Sequence, residues 1–184
     1  MIITDRDIKI KEFLKEMGVC DTKSLSIIFF NGSLRSCQRR LKKLVEIHYI
    51  KYFRENILSQ NIYYVNKRPK QYKHKIICSQ LIAYLIQENI DILKVRCPFK
   101  ISDVITDMLL VARNDMELKI YYCEVERTKK LDVNKYLKLH YSRAWKEYFP
   151  FEPSILCICD RKINVNNTTL NIIRCDTKFT NLKI

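Results

Sequence analysis

Two glycines, Gly18 and Gly32, are all that this chain of 184 residues contains. Neither lies in a glycine-rich turn, so the P-loop and the dinucleotide fingerprint are absent and neither ATPase nor dinucleotide chemistry is expected. Histidine is almost as scarce: His48, His74 and His140 have no ligand spacing, so the histidine cluster with which a relaxase-type tyrosine enzyme binds its metal is missing. No apolar run approaches the ~18 residues of a membrane helix, and the longest, such as Met108 to Ala112, are strand-sized. The start, Met-Ile-Ile-Thr-Asp-Arg, has no basic segment leading into an apolar one, so a cytoplasmic protein with no membrane partner is expected. Internal repeats and low-complexity tracts are absent.

Cysteine is plentiful but not patterned. Cys20, Cys37, Cys78, Cys97, Cys123, Cys157, Cys159 and Cys175 sit mostly among apolar residues, where a reduced cysteine behaves as a small hydrophobe. Cys157-Ile158-Cys159 has one spacer residue instead of the two of a zinc knuckle, and no second pair accompanies it. No metal–thiolate site is expected there.

Acids are outnumbered, 20 against 34 Lys and Arg, giving a formal net charge of +14 and a pI near 9.4. Excess lysine can serve solubility alone, but so large a charge on so short a chain argues for a polyanionic partner, double-stranded DNA first. With 47% hydrophobic residues the chain can bury a core, as one ordinary domain or two small ones.

The polar, basic, proline-broken stretch Asn66 to Lys73 reads as a linker, dividing residues 1–66 from 75–184 around a linker at 67–74. Before it the pattern is helix, helix, helix, hairpin. Thr4 caps the first helix with Asp7 three residues on, Ile8, Ile10, Phe13, Leu14 and Met17 recur at helical spacing, and Gly18 ends it. Asp21 or Thr22 caps a short second helix. Asn31-Gly32 turns the chain, and Ser33 caps the third. There Leu34, Cys37, Leu41, Leu44 and Val45 form the core stripe, leaving Arg35, Ser36, Gln38, Arg39, Arg40, Lys42 and Lys43 elsewhere. Between Leu34 and Arg54 seven basic residues, Lys51 and Arg54 among them, meet one acid, Glu46. Tyr49 to Phe53 and Ile62 to Val65 read as strands. Three helices and a hairpin resemble a winged helix-turn-helix, whose last helix enters the major groove. Arg and Gln suit base edges and Lys suits phosphates. A solvated basic face on a protein-contact module is the other reading.

Beyond the linker, helix 75–88 precedes a short strand at Ile92 to Val95. Ile105 to Arg113 and Glu117 to Glu126 then form a hairpin with a two- or four-residue loop centred on Asn114-Asp115. That register pairs Asp107 with Tyr122 and puts Asp107, Tyr122, Glu124 and Glu126 on one face. Three carboxylates would converge there. Leu131 to Phe149 reads as one amphipathic helix burying Val133, Tyr136, Leu137, Tyr141, Ala144 and Tyr148. Ser154 to Cys159 reads as a central strand, and Leu170 to Arg174 as another. The fold class is α+β: an N-terminal winged helix-turn-helix, then a small mixed-sheet α/β domain.

In this order of elements the second domain resembles the PD-(D/E)XK nuclease-like superfamily. More narrowly, most of the chain is similar to the replication-relaxation family of mobile-element proteins. Asp107 matches the first acidic position and Glu124 the second; Thr128, Tyr136, Lys138 and Tyr141 follow as in that family, and Glu88 matches an extra acid some members carry. The resemblance implies a plasmid, phage or integrative-element setting, with partners in replication or mobilisation. A homodimer on an inverted site is a further option.

In such nucleases two carboxylates hold Mg²⁺ or Mn²⁺, which polarises the phosphate and activates water. The lysine usual two residues beyond the second acid is here Glu126, so Lys129, Lys135 or Lys138 would have to supply the ammonium. Asp107, Glu124, Glu126 and Lys138 are the candidate catalytic residues, Asp107 and Glu124 the candidate metal ligands. Three readings stand: a degenerate nuclease fold used for binding and assembly, needing no cofactor; an active metal-dependent endonuclease or nickase; and a solvated strand face whose acids pair with basic residues of the next helix. A protein-interaction adaptor is the alternative to all DNA-directed roles. His140 near the acids, Trp145, and the tyrosines Tyr63, Tyr64 and Tyr72 have structural roles as their simplest explanation.

Overall fold

Thr4 stands in extended backbone before α1 (Asp5–Met17). Its hydroxyl accepts the Asp7 N–H at 3.4 Å, and Asp7 Oδ2 accepts the Thr4 N–H at 2.7 Å, closing the expected capping box. Gly18 ends the helix at φ +82°, where any side chain is strained, and a Cβ there would lie 2.9 Å from Lys75 Cδ. The computed structural model describes residues 2–127, 130–161, 169–180 and 182. Thr128 and Lys129 fall outside them.

A strand of two residues, β1 (Cys20–Asp21), precedes α2 (Thr22–Phe30), whose Ser24 N–H is capped by Asp21 Oδ1 at 2.7 Å. Asn31 in the left-handed region and Gly32 at φ +78° turn the chain into α3 (Leu34–Glu46). The hairpin is β2 (Lys51–Phe53) and β3 (Ile62–Tyr64), with Tyr52 opposite Tyr63. The sheet order is β1-β3-β2, antiparallel throughout. Ile10, Leu14, Leu25, Cys37, Leu41, Leu44, Ile50 and Tyr63 make one core. Leu34, expected in the α3 stripe, is instead 45% exposed: it is the first residue of the helix and lines an open groove.

Helix α4 (Tyr72–Gln87) packs on α2 and β1, and Gln80 Nε2 donates to Asp21 Oδ2 at 2.8 Å. It therefore belongs to the first of two compact units, Met1–Asn89 and Ile90–Ile184.

The second unit holds a five-stranded mixed sheet in the order β10-β9-β8-β7-β4. Its strands are β4 (Asp91–Arg96), β7 (Met108–Asn114), β8 (Glu117–Val125), β9 (Ser154–Ile158) and β10 (Ile172–Cys175), with a small hairpin, β5 (Phe99–Ile101) and β6 (Val104–Thr106), between β4 and β7. Strands β8, β9 and β10 run parallel; β4, β7 and β8 alternate. Helix α5 (Val133–Ser142) crosses from β8 to β9 and covers one sheet face, packing Tyr136 and Leu139 onto Leu109, Ile120, Tyr122 and Ile155. The long helix expected over 131–149 breaks at Arg143, which adopts φ +56°, and a 3-10 turn (Ala144–Glu147) follows. Tyr141 and Tyr148, expected to be buried, are 70% and 57% exposed: Tyr141, still within α5, lies two residues round the helix from buried Leu139 and so on its far side, while Tyr148 lies beyond the break. The architecture is α+β. Among the described residues no helix is long and apolar enough to cross a membrane.

Candidate functional site

Helix α3 carries two opposed loads. Cys37, Leu41 and Leu44 are fully buried, while Arg35, Gln38, Arg39, Lys42 and Lys43 are exposed and Ser36 half-buried. The 3.6-residue period puts the second set on the side away from the core. This cationic face borders two depressions. A groove of about 720 Å³ runs between α3 and the hairpin, lined by Leu34, Gln38, Lys42 and Val45 on one side and Tyr52 and Arg54 on the other. A smaller hollow of about 310 Å³ gathers Arg6, Ser36, Arg39, Arg40 and Lys43 around Phe30. The Arg6 guanidinium lies 4.6 Å over the Phe30 ring, which holds it at the rim.

Arg40 differs from its neighbours. It turns back to α1, donating through Nε to Asp7 Oδ1 at 2.9 Å and through Nη2 to the Ile2 carbonyl at 2.9 Å, with a further charged contact to Asp7 Oδ2. Burial works to raise the Asp7 carboxyl, but Arg40 and the two Thr4 donors outweigh it and hold it at about 2. Lys51 and Arg54, on the hairpin, stay exposed; Lys51 Nζ reaches the Asn66 carbonyl at 3.4 Å and Arg54 Nε donates to Asn61 Oδ1. Of the tyrosines, Tyr63 is buried, and Tyr72 donates to Glu55 Oε1 at 2.8 Å.

The acids of the second unit lie where a two-residue turn at Asp115-Met116 sets them. Asp115 takes φ +52°, and Asn114 pairs with Glu117, Leu109 with Tyr122 and Met108 with Cys123. Asp107 therefore continues level with Glu124, two residues from the expected partner Tyr122. A slip of two keeps the face, so Asp107, Tyr122 and Glu124 still share it. Asp107 Oδ2 accepts the Val125 N–H at 2.8 Å. Glu124 Oε1 accepts Lys135 Nζ at 2.5 Å and the Tyr136 hydroxyl. Burial raises the Glu124 carboxyl above its ordinary value, opposed by Lys135 and Tyr136 and reinforced by Asp107. The ammonium at the acids is thus that of Lys135; Lys138 is exposed on α5. His140, expected near the acids, pairs with Glu152 at 2.8 Å. Glu88 is an exposed cap of α4.

The three carboxylates do not converge. Glu126 is 7% exposed, its Oε1 accepts the Leu131 N–H, and its ligand atom lies within 4.8 Å of the sulfurs of Cys157 and Cys159. Strand β9 brings the thiols there: Cys157 pairs with Glu124, and Glu126 N–H extends the ladder to the Ile158 carbonyl at 2.9 Å. Glu126 Oε2 is buried with no hydrogen-bond partner, as is Arg174 Nη2 on β10, where Arg174 pairs with Cys157. Such an unmet group costs about 1–3 kcal/mol. The sequence pattern gave no sign of this trio, because its members meet only across a parallel strand pair.

Compared with protein-family models, curated proteins and solved structures, the chain matches none of them.

Proposed function

We propose that this protein binds double-stranded DNA through its first unit, as a winged helix-turn-helix with α3 in the major groove and the β2–β3 hairpin beside the backbone. The observation that carries this reading is the division of α3 into a buried apolar stripe and an exposed face bearing Arg35, Gln38, Arg39, Lys42 and Lys43. Those five residues supply bidentate donors for base edges and ammonium groups for phosphates. The hollow with Arg6, Ser36, Arg39 and Lys43 suits one phosphate, and Lys51 and Arg54 extend the positive surface along the hairpin. Arg40 has a positioning role: it fixes α3 against α1 through Asp7. The biological setting in this reading is replication, mobilisation or transcriptional control on a mobile element.

The second unit, in this reading, is a nuclease-like scaffold for assembly or added DNA contact. One observation favours an active endonuclease or nickase instead: Lys135 Nζ stands 2.5 Å from Glu124, which itself lies level with Asp107. Two carboxylates and an ammonium are the groups that metal-dependent phosphodiester cleavage needs. Asp107 and Glu124 offer hard oxygen donors that fit a magnesium-class ion, which would polarise the phosphate; Lys135 would sit beside the developing charge.

Supercoiled plasmid carrying the chain's own upstream region separates the two. Retarded, uncut DNA with Mg²⁺, Mn²⁺ and EDTA alike supports the binding reading. Metal-dependent nicked or linear product that Asp107→Ala abolishes supports the endonuclease.

A further inference from the structure

We propose that Glu126, Cys157 and Cys159 form a binding site for a thiophilic divalent cation, with Zn²⁺ as its representative. All three residues are buried, and their ligand atoms lie within 4.8 Å of one another. A tetrahedral zinc ion, with Zn–S of about 2.3 Å and Zn–O of about 2.1 Å, sets its ligand atoms roughly 3.5–3.8 Å apart. Closing the trio onto an ion therefore takes about 1 Å of side-chain adjustment.

The second, independent observation is the orphaned carboxylate oxygen. Glu126 is more than nine-tenths buried, the Leu131 N–H fixes its Oε1, and Oε2 has no partner. A cation in the trio satisfies that oxygen. Cys157 hydrogen-bonds within the trio, to Cys159 and Glu126, and Cys159 Sγ donates to the Arg161 carbonyl at 3.5 Å; deprotonation of the thiols would release their S–H contacts and leave the sulfurs free to ligate.

Charge also balances. Zn²⁺ with two thiolates and one carboxylate carries a net −1. Arg174, register partner of Cys157, brings a guanidinium whose Nη2 is likewise buried and unpartnered. The reaction is Zn²⁺ plus two thiols and one carboxylate giving the complex and two protons, with no change of oxidation state. Two sulfurs and one oxygen select a borderline or soft ion over magnesium, whose preference is for oxygen alone. A fourth position is left for water. The proposal does not depend on DNA binding.

The test uses the full chain, purified under reducing conditions, stripped with a chelator and titrated with Co²⁺ and Zn²⁺. One equivalent of Co²⁺ should give a sulfur-to-cobalt charge-transfer band that Zn²⁺ bleaches. About two protons should be released per ion into a weakly buffered indicator solution at a pH where both thiols are protonated. Cys157→Ser and Cys159→Ser should each weaken binding by more than about 100-fold, beyond the about 10- to 100-fold typical of groups outside the ligand set, and Arg174→Met should fall within that smaller range. A wild-type titration with no charge-transfer band overturns the proposal without reference to any variant. So does undiminished binding in a Cys157→Ala, Cys159→Ala double variant whose circular dichroism matches the wild type.

Discussion

The guanidinium of Arg40 on α3 lies against the fully buried carboxylate of Asp7 in the first turn of α1. Asp7 also closes the capping box with Thr4, so one carboxylate both starts α1 and fastens α3 to it. Arg40 lies between Arg39 and Leu41, one facing solvent and the other the core, so the pair helps set how far α3 rotates.

Acid should loosen this joint. Asp7 titrates at about 2 in the folded chain against an ordinary 3.8. A carboxyl lowered by folding contributes stability above its unfolded value, and that stability disappears as pH falls from about 4 through about 2. The contribution is on the order of 2 kcal/mol. Urea unfolding from pH 6 to pH 2 should show a fall in stability that Asp7→Asn flattens.

The two faces of α3 should respond differently to truncation. Leu41→Ala removes a fully buried side chain and should cost about 2–5 kcal/mol. Leu34→Ala, at a side chain 45% exposed, should cost under about 1 kcal/mol. Thermal or urea melts of the two variants check the assignment; equal losses would mean that α3 is rotated from the orientation described.

Base-edge and phosphate contacts should separate in binding data. Gln38→Ala or Arg35→Ala should relax sequence preference, at about 1–3 kcal/mol for a bidentate pair. Lys43→Ala should weaken binding almost uniformly across sequences and lower the salt slope by about one. Competition between the selected site and scrambled duplex distinguishes the two effects.

Lys135 should govern the charge on Glu124. Burial already raises that carboxyl, and Lys135 is the first of the groups that oppose it. Lys135→Met leaves burial and Asp107 less opposed, so the Glu124 carboxyl should titrate at a higher pH still. A carbon-detected NMR titration of the labelled glutamate reads this directly; an unchanged midpoint would mean that the 2.5 Å contact contributes nothing in solution.

Local signals were legible in the sequence. The Thr4–Asp7 box, the Gly18 stop, the Asp21 cap and the Cys37–Leu41–Leu44 stripe each depend on residues within a turn or two of one another, and each is present. The hairpin face survived an error in register, because moving the turn to Asp115-Met116 shifted the pairing by two and period-two alternation is blind to that shift. What the sequence hid depends on tertiary partners. The amphipathic pattern runs on through 131–149, yet Arg143 takes a left-handed conformation and ends α5 at Ser142. Helix α4 is apolar enough for either unit, and it packs on α2 and β1. Glu126 looked like a third catalytic acid because it sits two residues beyond Glu124. Its carboxylate instead faces Cys157 and Cys159, residues brought alongside by the parallel pairing of β8 with β9.

Fluorescence anisotropy of a labelled duplex from the chain's own upstream region, titrated at several salt concentrations, tests the DNA-binding reading most directly. The logarithm of the association constant should fall steeply and linearly with the logarithm of salt, and the slope should shrink in an Arg39→Ala, Lys43→Ala variant that remains folded. Absence of binding by the wild type at low salt, or affinity indifferent to salt and to both substitutions, would contradict it.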